Sequence, residues 1–181
     1  MAITDKEQGV WIIDEVYNKI NEGDIWEYTG KDELWAWGGD HVGQLGLNSI
    51  NTPVNTGRSS PVQVGTDTTW AALPKGVNGS AGDHGYCQMA TKTDGTLWMW
   101  GNNQRGQLGQ NSLTQRSSPV QIPGTTWSRI SCGNYSWRAL KTDGTLWACG
   151  RGELGQLGQN SRTEYSSPVQ IPGTWDKLGS G

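Results

Sequence analysis

From Lys92 to Trp127 the chain reads KTDGTLWMWGNNQRGQLGQNSLTQRSSPVQIPGTTW, and from Lys141 to Trp175 it reads KTDGTLWACGRGELGQLGQNSRTEYSSPVQIPGTW. Two near-identical copies offset by 49 residues constrain the fold more than composition does. Whatever structure one copy adopts the other must share, and neighbouring copies have to bury their apolar faces against each other. A looser third copy begins near Lys31, with LWAWG at Leu34 to Gly38, GQLG at Gly43 to Gly46, SSPVQ at Ser59 to Gln63 and TTW at Thr68 to Trp70.

Each copy predicts four short strands. Asp-Gly between two apolar runs is a strong hairpin signal, and it joins a strand over Ser136 to Lys141 to one over Thr145 to Cys149. A Gly-rich loop through GQLG follows, with Leu45, Leu108 and Leu157 placed to tuck inward. Ser-Ser-Pro then leads into a third strand at Val62 to Val64, Val120 to Ile122 and Val169 to Ile171. A Trp-led strand closes the unit at Trp70 to Leu73, Trp127 to Cys132 and Trp175 to Leu178. Lettering the Trp-led strand A, and the others B, C and D in order, the chain runs BCD, ABCD, ABCD, A, with Ile25 to Thr29 and Leu34 to Trp37 as the first B and C. Insertions around Asn48 to Gly57 and Lys75 to Gly85 lengthen loops and leave this framework intact.

Ahead of the repeats, Ile13, Val16, Tyr17 and Ile20 fall at the spacing of one helical face, with Val10 and Trp11 extending it and Gly23 as a stop. A short amphipathic helix is expected at 12–22, either capping the array or docking onto a partner. The chain accordingly divides into an arm and helix at 1–23 and a repeat region at 24–181.

Composition narrows the function classes. A net charge of −3 with no basic run gives no footprint for nucleic acid or a charged membrane surface. No apolar run approaches a membrane span, and MAITDKEQ lacks the basic and apolar parts of a signal peptide, so no export by that route is expected. Eleven Trp and 27 Gly, with no Phe, mark a turn-rich β protein. Cys87, Cys132 and Cys149 cannot all pair within one chain and read as reduced, structural residues.

The D-G-x-L-W-x-W-G, G-Q-L-G and S-P-V elements resemble the regulator-of-chromosome-condensation repeat family over about 150 of the 181 residues. That resemblance implies an all-β fold of four-stranded β-propeller blades, here about three per chain, with a short N-terminal helix. Three blades do not close a ring, which typically takes four to eight. The set is either an open arc or is completed by another subunit, the last strand of one chain filling the first blade of the next, head to tail. Within the family, function ranges from nucleotide exchange on a small GTPase to plain protein binding. A second resemblance, GVWIIDEVYNKINEGDIW at Gly9 to Trp26, is to bacteriophage virion structural proteins.

Chemistry is sparse. His41 and His84 lie in predicted loops beside Asp40 and Asp83, without a nucleophile placed by the pattern. No C-x-x-C or H-x-x-x-H suggests a metal, Asp94 and Asp143 recur as turn formers, and the G-x-G-x-x-G at Gly150 to Gly155 opens no helix. No catalytic, cofactor or metal residue is expected. Residues repeated in every copy, such as Trp98 and Trp147, Leu108 and Leu157, or Trp127 and Trp175, answer to packing. Recognition is expected where copies differ: His41, Asn51, Arg58, Asn78, Asp83, His84 and Tyr86 early on, then Arg105 against Leu154, Gln115 against Glu164 and Arg116 against Tyr165, with Arg151, Glu153 and Arg162. A partner is expected on Trp11, Ile13, Val16, Tyr17 and Ile20 of the helix and on Trp175 and Leu178 at the open edge. Together these features predict a non-enzymatic virion structural protein, a tail, fibre or head decoration, working by protein-protein contact with other virion proteins and assembled in the host cytoplasm. The alternatives are a carbohydrate-binding adhesin module for a host-surface glycan and a regulatory, partner-binding propeller of the exchange-factor kind.

Overall fold

In a computed structural model, which describes residues 32–49, 57–74, 87–133 and 135–178, ten strands form three antiparallel sheets. The first sheet pairs β1 (Trp35–Gly38) with β2 (Arg58–Gln63). The second is a meander of β3 (Trp70–Ala72), β4 (Cys87–Lys92), β5 (Leu97–Gly101) and β6 (Arg116–Ile122). The third repeats it with β7 (Trp127–Gly133), β8 (Ser136–Lys141), β9 (Leu146–Gly150) and β10 (Tyr165–Ile171). All ten strands belong to the unit Asp32–Gly181. Among the described residues no helix is long and apolar enough to cross a membrane.

The repeated DGTLW motif builds the hairpin by a relay of hydrogen bonds. Asp94 Oδ1 accepts from the Thr96 amide at 3.0 Å and from its hydroxyl at 2.6 Å, and Thr96 Oγ1 accepts from the Trp98 indole at 2.9 Å. Asp143, Thr145 and Trp147 repeat the relay at 2.9, 2.7 and 3.0 Å. The hydrogen bonds from Thr96 and Thr145 hold both carboxyls below their ordinary range. These aspartates are therefore committed to their own turns.

Across the boundary between the second and third sheets lies one apolar core. It joins Met89, Leu97, Met99 and Ile122 of one sheet to Trp127, Ile130, Trp137 and Cys149 of the next, with Leu108 of the GQLG loop wedged between. Each such side chain contributes roughly 1.5–3 kcal/mol by leaving water. Burial pushes the thiols of Cys87 and Cys149 up to about 12 and raises that of Cys132, and all three cysteines are free. Cys87 and Cys149, buried and protonated, act as packing groups.

Most expected strands are present, with shifted ends. The Ser-Ser-Pro strands begin at Arg116 and Tyr165, four residues before the valines that signalled them. Ser-Ser-Pro extends along an outer strand because proline lacks only a ladder donor that an edge does not use. Against the expectation from its sequence, Trp175 to Leu178 forms no strand. The Trp175 amide still donates to Gly144 O at 2.9 Å, as Trp127 does to Gly95 O at 2.9 Å, but no B strand lies beside it among the described residues. Its ring is 39% exposed, whereas Trp127 is buried, so Trp175 is not core here. The expected helix, the 23/24 boundary, the strand at Ile25 to Thr29 and most of both insertions lie outside the described residues.

Candidate protein-interaction surface

Strands C and D of each full sheet are joined by a long loop, 102–115 in the second sheet and 151–164 in the third. Because both sheets are antiparallel meanders of the same order, these loops leave equivalent ends. The first is fastened by Asn103, whose Oδ1 accepts from the Leu108 amide at 2.9 Å while Nδ2 donates to Ser112 O at 2.8 Å and Thr114 O at 2.9 Å. Gln107 completes the fastening, its Oε1 accepting from the Arg105 amide at 2.9 Å and its Nε2 donating to Asn102 at 3.0 Å. A buried amide satisfied on both ends fixes a loop more firmly than exposed contacts do.

Arg105 stands on that fixed loop and reaches across the boundary. Its Nη1 donates to Glu153 at 3.1 Å and to Glu164 at 3.0 Å, while Arg151 grips the second oxygen of Glu153 with Nε at 2.9 Å and Nη2 at 2.6 Å. The hydrogen bonds from Arg151, with the charge of Arg105 behind them, hold the Glu153 carboxyl below its ordinary range. Such half-exposed pairs add little stability. What they do is hold two loops of different sheets in one register, beside Leu154, which is 80% exposed. The result is a fixed ring of charges beside one exposed apolar side chain.

Arg105 and Arg151 are thus brought together, through Glu153 and Glu164. Tyr165 is half-buried at the head of β10, opposite Gly150, and packs with Leu178 against the core of the third sheet. Arg58 is exposed at the start of β2, opposite Gly38, and His41 is exposed on the loop after β1. Neither is part of the charge network. Trp11, Ile13, Val16, Tyr17, Ile20, Asn51, Asn78, Asp83, His84 and Tyr86 lie outside the described residues.

Two further kinds of contact tie tryptophans to their surroundings. Trp100 donates its indole N–H to Gln44 O at 3.0 Å, and Trp137 donates to Gln107 O at 2.7 Å, each spanning from one sheet to the GQLG loop before it. Also, Lys92 lies over Trp70 and Trp98 at 5.0 and 4.0 Å, and Lys141 over Trp127 and Trp147 at 4.6 and 4.9 Å. Periodicity was the available signal, since Lys and Trp recur at matched positions in both copies.

The regulator of chromosome condensation (RCC1) repeat matches residues 94–139 and 143–177. The RCC1 domain-containing protein RUG3, mitochondrial, of Arabidopsis thaliana is 33% identical over 112 residues, 59% of this chain and 24% of the plant protein. Human WBSCR16 superposes with a TM-score of 0.61 at 29% identity, covering 80% of this chain and 34% of that one. Prp20p from Saccharomyces cerevisiae gives 0.62 at 16%, covering 78% and 34%, a likeness of fold. The chain spans about a quarter of the plant relative and about a third of each solved structure. These relatives are cellular proteins, one of them mitochondrial, and they overturn both the virion structural role and the virion location. That expectation rested on an eighteen-residue resemblance ahead of the repeats, whereas the repeats carry the relatives. In sequence and in fold, the two complete sheets resemble RCC1 repeats.

Proposed function

We propose that this chain is a non-enzymatic, regulatory binding module of the RCC1 kind, presenting the 102–115 and 151–164 loops to a protein partner. The observation that carries the reading is the charge bridge from Arg105 to Glu153 and Glu164, which fixes the loops of two successive blades around the exposed Leu154. Prp20p, solved together with its binding properties to Gsp1p and histones, supports a protein as the class of partner. A photo-crosslinking side chain at position 154 is expected to give one discrete protein adduct. Arg105→Glu is expected to abolish that adduct while leaving the melting midpoint nearly unchanged. Diffuse labelling that ignores the charge reversal would overturn the reading. A small GTPase whose nucleotide exchange the chain accelerates would identify the exchange-factor branch of this class.

A second reading concerns assembly. Where Gly106 abuts Ser166 of the next blade, the equivalent Gly155 has nothing within 4 Å among the described residues. We place a further blade there, contributed head to tail by a second copy. Sedimentation is expected to show self-association that rises with concentration, and a clean monomer with full β signal would remove the idea.

A further inference from the structure

The two lysine–tryptophan stacks are the same device in two states of completion. In the second sheet, the Lys92 ammonium lies over both Trp70 and Trp98, in the corner of their edge-to-face pair, and is capped by Asp67 at 2.8 Å. In the third, Lys141 lies over Trp127 and Trp147 in the same way, but the residue three before Trp127 is Gly124, where the residue three before Trp70 is Asp67. Among the described residues no carboxylate pairs with Lys141. Asp143 is turned to Thr145 and acts on the ammonium only at longer range.

In place of the missing cap there is space. A cavity of about 480 Å³ opens beside Lys141, walled by Gln110 and Asn111 of the preceding blade's loop, by Trp147, and by Ser167 and Pro168 of β10. A side chain on Gly124 would begin 3.2 Å from Lys141 Nζ and 3.9 Å from Trp127 Nε1. That indole N–H is buried and has no acceptor among the described residues, as is also true of the Trp70 indole N–H in the capped stack. Two donors therefore converge on the spot that the glycine leaves open. The rings shield the ammonium from water on two sides, which strengthens any charge-assisted bond it makes on the third.

The geometry points to this cavity as the seat for a carboxylate side chain of an acidic segment on a protein partner, supplied in trans where Asp67 supplies it in cis. Its volume exceeds what a bare carboxylate needs, and Trp147 and Pro168 offer apolar walls to methylenes, which favours glutamate within a peptide. The inference rests on the partner-binding reading above and adds the chemistry of one contact.

The test is a titration of the whole chain with an acetylated, amidated glutamate-rich decapeptide, followed by calorimetry and by the indole N–H resonance of Trp127. One saturable site that moves this resonance is expected. Lys141→Gln is expected to weaken binding by at least about tenfold, the scale of losing one partner of a shielded charge pair. Lys92→Gln, at the stack already capped, is expected to leave binding unchanged. Asp67→Ala is expected to open the equivalent seat and raise the stoichiometry from one to two. Equal binding of the glutamine isostere, indifference to Lys141→Gln, or binding of a phosphoserine peptide alone would overturn the proposal. If the glutamate peptide fails while the position-154 adduct persists, the acidic occupant is wrong and the partner-binding reading stands. If both fail, that reading falls as well.

Discussion

Trp100→Cys is expected to cost about 3–5 kcal/mol of folding free energy, the range for truncating a buried tryptophan, and Gln88→Trp in the same chain is expected to restore more than half of it. The reason lies in how the two full blades fill the same space. In the second blade Trp100 on β5 stands opposite Gln88 on β4, and in the third Cys149 on β9 stands opposite Trp137 on β8. The indole has changed strands, yet each ring lies 6.1 Å from the leading tryptophan of its blade, Trp70 or Trp127. Each also donates to the carbonyl of the matching loop glutamine, Gln44 or Gln107. Removing Trp100 empties that space and strands the Gln44 carbonyl, while the double variant rebuilds the arrangement that the third blade already has. Urea denaturation of the wild type, the single and the double variant measures both steps. No recovery in the double variant would mean that the two positions are not equivalent.

That exchange also shows where the sequence was legible. Strand order, the Asp-Gly hairpins and the inward leucines follow from local rules, and β8 is present over Ser136–Lys141 as expected. The exchange of Trp100 for Cys149 carries no signal along the chain, because an alignment compares positions in sequence and the compensation runs across a strand pair. The bridge from Arg105 to Glu153 and Glu164 was half visible, since all three differ between copies. Only the fold brings residues 48 and 59 positions apart into one cluster. The last strand failed for a related reason: Trp175 to Leu178 carries the sequence of an A strand, and a strand needs a neighbour to pair with. Function went astray where it was drawn from Gly9 to Trp26 instead of from the repeats.

Gly106→Ala and Gly155→Ala, the same change at the same place in two copies of one motif, are expected to differ severalfold in cost. Both glycines have positive φ, +71° and +76°, so alanine strains either backbone by about 1 kcal/mol. At Gly106 the added methyl would also stand 2.6 Å from Ser166 Cα and 2.6 Å from its Cβ, whereas at Gly155 nothing among the described residues lies within 4 Å. Ser166 cannot easily retreat, since it sits in β10 and its carbonyl accepts from the Asn111 amide at 2.7 Å across the blade boundary. Overpacking there brings the total for Gly106→Ala to about 2–4 kcal/mol. Gly43, likewise 2.6 Å from Ser117 Cα, is expected to behave as Gly106 does. At Gly43 and Gly106 the first glycine of GQLG and the first serine before Pro-Val are the two sides of one close approach between blades. Thermal or urea denaturation of the three variants decides it, and equal losses at Gly106 and Gly155 would show that turn conformation, not the blade boundary, demands the glycine.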